Sequence, residues 1–162
     1  MEKINKLKKK FSKFNIEGYL IPKNDEFFSE YIPAYKDDLR YISNFSGSYG
    51  LALILKKNNY LFVDGRYTVQ ASYQSGNNFK IITLPIESNK KKINLKNIRI
   101  GYDPKLFNEN LIKKFSKKLN FKFSAINTNL VKSIKKDRSN FKKKNFFYIL
   151  DKSIAGESYL KK

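Results

Sequence analysis

Two short apolar runs, residues 51–55 and 60–63, constrain the fold of this chain more than any other feature. They flank the polar tetrapeptide Lys56-Lys57-Asn58-Asn59, and two apolar runs around a short polar turn are typical of a β-hairpin. The sequence therefore predicts two neighbouring antiparallel strands in this part of the chain, and it is the second strand that leads into the most distinctive motif.

That motif is Asp64-Gly65-Arg66-Tyr67, which follows the second run directly. The residues after it, up to Gly76, favour a helix that ends at this glycine. Asp64 can cap the helix, Gly65 permits a sharp change of direction, and Arg66 can pair with a nearby carboxylate. A catalytic pair of carboxylates is the alternative, but the sequence indicates no second acid at a fixed separation from Asp64. The motif is therefore predicted to turn a strand into a helix.

Helical and strand patterns alternate along the rest of the chain. Strands are predicted at residues 18–22, 79–84, 98–102 and 121–126, and helices at residues 4–14, 37–45, 104–120 and 129–136. Residues 24–35 and 87–97 are predicted as loops, the latter rich in lysine. At 162 residues, a single core is the default for a chain of this length. The alternation predicts an α/β domain with a mixed central β-sheet flanked by helices.

The hexapeptide Phe-Ser-Gly-Ser-Tyr-Gly at residues 45–50 offers two candidate chemistries, phosphate binding and nucleophilic catalysis. It lacks the Gly-Lys-Ser/Thr ending of a phosphate-binding loop and leads into a strand instead of a helix. Ser46 and Ser48 would need an activating base, and the chain contains no histidine. The hexapeptide is therefore predicted to be a tight turn in which Gly47 and Gly50 adopt positive φ angles.

The chain contains neither cysteine nor histidine, and this excludes whole classes of site. Disulfides, thiolate metal sites, cysteine nucleophiles and Ser-His-Asp triads are all ruled out. A metal site made of carboxylates alone stays open as an alternative, although its candidates share no characteristic spacing. These candidates are Asp25, Glu26, Glu30, Asp37 and Asp38. No secretory signal and no run of 18 apolar residues occurs in the sequence, which predicts a cytoplasmic protein without a membrane span.

The formal charge of +20 is compatible with binding to nucleic acid or to an anionic membrane surface. Lysine triplets at residues 8–10, 90–92 and 142–144 support a basic nucleic-acid-binding module. However, 30 of the 34 basic residues are lysine, whereas proteins that recognise nucleic acid specifically rely on bidentate arginine contacts. The abundant Lys, Asn, Ile, Phe and Tyr all have AT-rich codons, so drift in genome composition is favoured over a nucleic-acid function as the source of the charge.

Several motifs in a fixed order resemble the N-terminal domain of Xaa-Pro aminopeptidases, in the creatinase/prolidase superfamily. They are Tyr-Leu-Ile-Pro at 19–22, Glu-Tyr at 30–31, the segment from Arg40 to Phe45, the hexapeptide at 45–50 and Val-Asp-Gly-Arg-Tyr-Thr-Val-Gln-Ala at 63–71. Residues 127–138 and 154–162 also resemble later parts of the family pattern. Asn44 departs from the pattern because the family usually has glycine there, so this position is expected to be either slightly strained or tolerant of a left-handed backbone. Lys132, Lys135 and Ser139 depart from the pattern too.

The resemblance implies a creatinase N-terminal-domain-like, ribonuclease H-like fold over residues 1–136, followed at 137–162 by the connection to a second domain absent from this chain. It implies no catalytic or metal-binding residue here, because in the family two divalent ions, usually manganese, lie in a separate C-terminal domain. The residues that carry the family signature, and to which it assigns a structural role, are Arg40, Phe45, Gly47, Ser48, Gly50, Asp64, Gly65, Arg66, Tyr67, Gln70 and Ala71.

What the resemblance implies about function is a non-catalytic domain that shapes substrate access and assembly in a longer enzyme. Its partners would be the second and C-terminal domains of the same parent chain, with a homodimer as a further possibility and no membrane. The apolar segment at residues 146–150 would begin the second domain, and in isolation it would either fold back or drive association. A basic nucleic-acid-binding module and a free-standing regulatory protein are the alternatives.

Overall fold

A computed structural model describes residues 1–85, 97–119, 121–135, 149–158 and 160–161. At its centre is a six-stranded sheet with the order β4-β3-β2-β1-β5-β6. The strands are β1 (Gly18–Pro22), β2 (Gly50–Leu55), β3 (Asn59–Val63), β4 (Lys80–Thr83), β5 (Arg99–Tyr102) and β6 (Lys122–Ala125). The helices are α1 (Glu2–Lys8), α2 (Asp38–Ser43), α3 (Thr68–Ser75), α4 (Glu109–Leu119) and α5 (Lys152–Ala155).

The pairing of the strands confirms the predicted hairpin and the mixed sheet. Strand β2 pairs antiparallel with β3, with Gly50 opposite Val63, and antiparallel with β1, with Gly18 opposite Leu55. All other neighbours are parallel, namely β3 with β4, β1 with β5 and β5 with β6. Strand β2 is thus the one antiparallel strand of the sheet, and the carboxyl ends of the other strands lie at one edge.

Both faces of the sheet are covered, which explains why β1 and β2 are apolar along their whole length. On one face the buried side chains of the sheet pack with those of α1, α2, α3 and residues 130–134; on the other they pack with α4 and the turn that precedes it. Strand β3 shows the alternation that this requires, because Leu61 and Val63 enter the first core while Tyr60 and Phe62 enter the second. No helix among the described residues is both long and apolar enough to cross a membrane.

Four predicted helices differ from the observed structure, and the first two differ at their ends. The first helix ends at Lys8 and is followed by a 3₁₀ turn at Ser12–Phe14, because Asn15 adopts a left-handed conformation that turns the chain toward β1. Residues 37–45 form a helix only to Ser43, and Phe45 lies two residues beyond it. These differences leave the predicted buried positions of α1 intact, since Ile4, Leu7 and Phe11 all lie in the core.

The helix predicted from residue 104 begins five residues later, at Glu109. Pro104–Leu106 forms a separate 3₁₀ turn capped by the Asp103 side chain, and Phe107 is extended, so the chain restarts the helix beyond it. The Asn108 side chain then accepts a hydrogen bond from Asn110 N at 2.8 Å, which satisfies a backbone donor at the helix start.

The helix predicted at residues 129–136 is wrong within the described part. Residues 130–134 form turns, and the Asn129 side chain bonds Lys132 N at 2.8 Å instead of starting a longer helix. Residues 87–96 of the predicted loop and residues 146–148 of the apolar segment lie outside the described residues, as does Lys136. At the described end of that segment, Ile149 and Leu150 are exposed.

Candidate functional site

The two most distinctive motifs of the sequence, residues 45–50 and 64–71, contact each other at the end of β3. Ser46 Oγ accepts hydrogen bonds from Gln70 Nε2 at 3.0 Å and Gln74 Nε2 at 2.8 Å, and Ser46 N donates to Gln74 Oε1 at 2.8 Å. Ser48 Oγ and the Tyr67 hydroxyl are hydrogen-bonded at 2.7 Å. These contacts, which we call the signature seam, join the segment before β2 to helix α3.

Phe45 packs against the signature seam from the protein core. Its side chain is fully buried, and its ring packs edge-on against Tyr67 with the centroids 5.8 Å apart. The predicted positive φ at Gly47 and Gly50 is wrong, since neither glycine has a positive φ. Glycine is needed for space instead, because a Cβ at Gly47 would lie 2.2 Å from the Phe45 ring and one at Gly50 would lie 3.0 Å from it.

Asp64 caps the 3₁₀ turn at Gly65–Tyr67 and not helix α3 as predicted, because α3 begins after Tyr67, which makes no side-chain cap bond. Asp64 Oδ1 accepts from both Arg66 N and Arg66 Nε at 2.9 Å, so the arginine pairs with the aspartate of its own motif. These bonds hold the pKa of Asp64 below its usual value, and the bond from Ser48 lowers the pKa of Tyr67. Gly65 has no positive φ. Crowding does not explain why this residue is a glycine, because a Cβ there would meet only the Thr83 side chain, at 3.7 Å.

The remaining signature residues are Ala71 and Arg40. Ala71 is fully buried on the inner side of α3, where a small side chain lets the helix lie close to the sheet. Arg40 is exposed on α2 and lies outside the signature seam; its backbone nitrogen donates to Asp37 Oδ1 at 2.9 Å. Asn44, which replaces the family glycine, has a φ of 63°, so asparagine fills a left-handed position there.

Four of the five acidic residues considered as metal ligands pair with lysines. Lys23 pairs with Asp37, Lys36 pairs with Glu26 at 2.7 Å and with Asp25 at 3.8 Å, and Lys135 pairs with Asp38 at 2.6 Å. Asp25 also accepts from Phe27 N and Ser29 N, both at 3.0 Å, and the Ser29 bond contributes most to the lowering of its pKa. Among the described residues, no group of three or more metal-ligating side chains occurs.

Sequence reasoning missed these buried ion pairs. Asp37 is the N-cap of α2, and the carboxylates of Asp37 and Asp38 also bind lysines that lie 14 and 97 positions away in sequence. The one available signal was the departure from the family pattern at Lys135, which pairs with Asp38 across 97 positions.

A cavity of about 540 Å³ opens at the carboxyl ends of β1, β3 and β4. Its walls are largely apolar, and Phe28 and Tyr49 stand at its side with 55% and 58% of their surface exposed. Asn24 lines the cavity, and its side-chain amide donates to Leu106 O at 2.9 Å. In open α/β sheets, ligands usually bind outside the carboxyl ends of the strands, at the point where the order of the strands reverses. In this sheet the order reverses between β1 and β5.

The sequence model of the Creatinase/Prolidase N-terminal domain family matches residues 3–136. The chain belongs to this family. Among related sequences, the "Probable Xaa-Pro aminopeptidase P" of Laccaria bicolor is 29% identical over 170 residues, covering 99% of this chain and 26% of that protein. Rat Xaa-Pro aminopeptidase 2 is 29% identical over 140 residues, covering 77% of this chain and 20% of that protein. The chain therefore spans about a quarter or less of the length of these relatives.

Solved structures of creatinase/prolidase proteins share the fold. The X-prolyl aminopeptidase of Caenorhabditis elegans, described as a cytosolic enzyme with a di-nuclear active site, aligns with a TM-score of 0.72 and 26% identity, covering 85% of this chain and 25% of that one. The N-terminal domain of the cytoplasmic peptidase PepQ from Mycobacterium tuberculosis aligns with a TM-score of 0.61 and 20% identity, covering 82% of this chain and 97% of that one. A domain with this fold has thus been crystallised on its own.

Proposed function

We propose that this chain is the non-catalytic N-terminal domain of a Xaa-Pro aminopeptidase. The parent enzyme would remove the N-terminal residue that precedes a proline by metal-assisted hydrolysis. The observation that carries the proposal is the family match over residues 3–136, together with relatives named Xaa-Pro aminopeptidase that continue far beyond the matched part. A nucleic-acid-binding module has no support among these relatives.

The described side chains of this chain form no di-nuclear metal centre. The chain has no histidine, and the buried carboxylates of Asp37 and Asp38 are paired with lysine ammonium groups. Two divalent ions, which we expect to be manganese, would therefore belong to the catalytic domain of the parent. There they would activate the water that attacks the peptide bond.

The role proposed for this domain is to shape access to the catalytic cleft and to contribute to assembly in a cytoplasmic enzyme. The support is a set of exposed aromatic side chains, which a free-standing domain rarely leaves in water. Phe28 and Tyr49 line the 540 Å³ cavity and are 55% and 58% exposed, and Phe27, Tyr31 and Tyr35, in the chain segment before α2, are between 43% and 86% exposed. We propose that the remaining domains of the parent, or a second copy in a homodimer, cover this surface.

The first experiment measures the intact mass of the native polypeptide in its source cell, detected with an antibody against this domain. We expect a product several times longer than 162 residues, in keeping with the relatives. The purified product should cleave a peptide with proline in the second position, should spare the same peptide with alanine there, and should lose activity on chelation. A native product that ends near Lys162 would contradict the proposal.

A second test concerns Arg66, whose side chain pairs with Asp64 on the exposed side of the signature seam. In the full-length parent, we expect Arg66→Ala to lower stability slightly or to shift the preference for peptide length, while the metal content stays unchanged. Arg99→Ala, another exposed arginine on β5, is the matched control and should change neither property. Loss of bound metal in Arg66→Ala would contradict a non-catalytic role for this domain.

A further inference from the structure

The cavity of about 540 Å³ at the carboxyl ends of the strands, which we call the carboxyl-edge cavity, is bounded by apolar side chains from several parts of the fold. Leu51 of β2, Leu106 of the turn before α4 and Phe115 of α4 contribute to its wall, and Phe28 and Tyr49 are exposed at its side. Cavities of about 300–1,000 Å³ with mostly apolar walls are typical binding sites.

An apolar segment that needs such a surface lies later in the same chain. Residues 146–150 read Phe-Phe-Tyr-Ile-Leu, five apolar residues in succession. The last two, Ile149 and Leu150, belong to the described part of the chain, where both are exposed and pack in neither core. Covering five apolar side chains is favourable in water, so the segment should bind to an apolar surface.

The described chain before this segment ends at the same edge of the sheet as the cavity. Lys135 Nζ donates to Asp38 Oδ1 at 2.6 Å, and the neighbouring Asp37 binds Lys23, which lines the cavity. Phe146 follows Lys135 by 11 positions, and a chain of this length spans at most about 36 Å. The segment can therefore reach the cavity without a rearrangement of the described residues.

Two other occupants suit the carboxyl-edge cavity less well. Residues 86–96 follow Pro85 of the cavity wall, but their apolar residues Ile86, Ile93 and Leu95 are separated by polar ones. A second copy would bring another formal charge of +20 toward this surface, and like charges oppose association. A segment tethered to the same chain instead acts at an effective concentration in the millimolar range.

We propose that the segment at residues 146–150 binds in the carboxyl-edge cavity of its own chain, with Phe146 and Phe147 against the apolar wall. In a longer parent, this contact fixes the connection to the first domain and leaves Phe27, Tyr31 and Tyr35 for the domains beyond it. The binding concerns this chain alone and does not depend on the activity of any parent enzyme.

The test places a paramagnetic label beside the segment in the ¹⁵N-labelled chain. Because the chain has no cysteine, Asn145→Cys provides a single attachment point for a nitroxide label. We expect the label to broaden the amide signals of residues 49–51 and 111–115 at the cavity. The signals of residues 57–59, at the opposite end of β2 and β3, should keep their intensity. The same sample with the label reduced supplies the reference intensities.

The double variant Phe146→Ser/Phe147→Ser, made in the labelled chain, should abolish this broadening. The matched control is Lys143→Ser/Lys144→Ser, which changes two neighbouring polar residues and should keep the broadening. Both variants should keep a dispersed amide spectrum.

A mixture of label-bearing chain without ¹⁵N and unlabelled ¹⁵N chain separates binding within one chain from association between copies. We expect no broadening at the cavity in this mixture. Broadening there would overturn the proposal, because the segment would then bind a second copy. Absence of broadening in the singly labelled chain, broadening spread over the whole surface, or an equal effect of the two double variants would overturn it too.

Discussion

Replacing Phe45 with alanine is expected to lower the free energy of unfolding by about 3–5 kcal/mol, the usual range for truncating a fully buried phenylalanine. The ring is completely buried and packs against Tyr67 from the neighbouring motif. It also fills the space that both Gly47 and Gly50 leave open. Alanine would therefore create a cavity where the hexapeptide, β2 and α3 meet, and the loss should exceed that from any single hydrogen bond of the signature seam.

Chemical denaturation of the chain, followed by circular dichroism, measures this loss. Phe27→Ala is the matched control, because Phe27 is 75% exposed and its removal should change the free energy of unfolding by less than about 0.5 kcal/mol. Phe45→Leu, which keeps most of the apolar volume, should lie between the two. If Phe45→Ala unfolds at the same denaturant concentration as Phe27→Ala, Phe45 does not anchor the seam.

Local pattern was enough to predict the strands and the motif that ends β3. The bounds of β1 agree with the prediction at both ends, because Pro22 ends the apolar run that begins at Gly18. The turn at Asp64 was equally accessible, since the side chain that caps and the backbone that is capped lie within two residues. Features whose partners are close in sequence can be read from the sequence alone.

Features that depend on packing in the folded core could not be predicted in this way, even where the partner is close in sequence. Gly47 was assigned to a turn that needs a positive φ. Glycine is needed there instead because a Cβ would collide with the Phe45 ring, whose position is fixed by the packed core. Helix α4 starts later than predicted because Phe107 packs in the second core with an extended backbone, which interrupts the helix.

The ion pair between Asp38 and Lys135 is the longest-range of these features and carries the second large prediction. Asp38 is 2% exposed and accepts from Lys135 Nζ at 2.6 Å and from Asn129 Nδ2 at 2.7 Å. Lys135 Nζ also donates to Tyr35 O at 3.2 Å. The carboxylate thus ties the turns at residues 130–134 to helix α2 and to the loop before it.

Replacing Asp38 with alanine is expected to cost about 3–5 kcal/mol of unfolding free energy, because the ammonium group of Lys135 would stay shielded without its counter-charge. The measurement is chemical denaturation at neutral pH. Glu109→Ala, which breaks an exposed pair with Lys113 on α4, should have no measurable effect and serves as the control.

The double variant Asp38→Ala/Lys135→Met decides whether the loss comes from the ion pair. Because it removes both charges and keeps apolar volume at position 135, we expect it to be more stable than Asp38→Ala alone, with a coupling of more than about 1 kcal/mol between the two sites. Strictly additive effects would mean that Asp38 acts through Asn129 or through helix α2 instead. A coupling that persists at about 1 M salt would place the pair in a shielded environment, since exposed charges are screened over about 3 Å at that concentration.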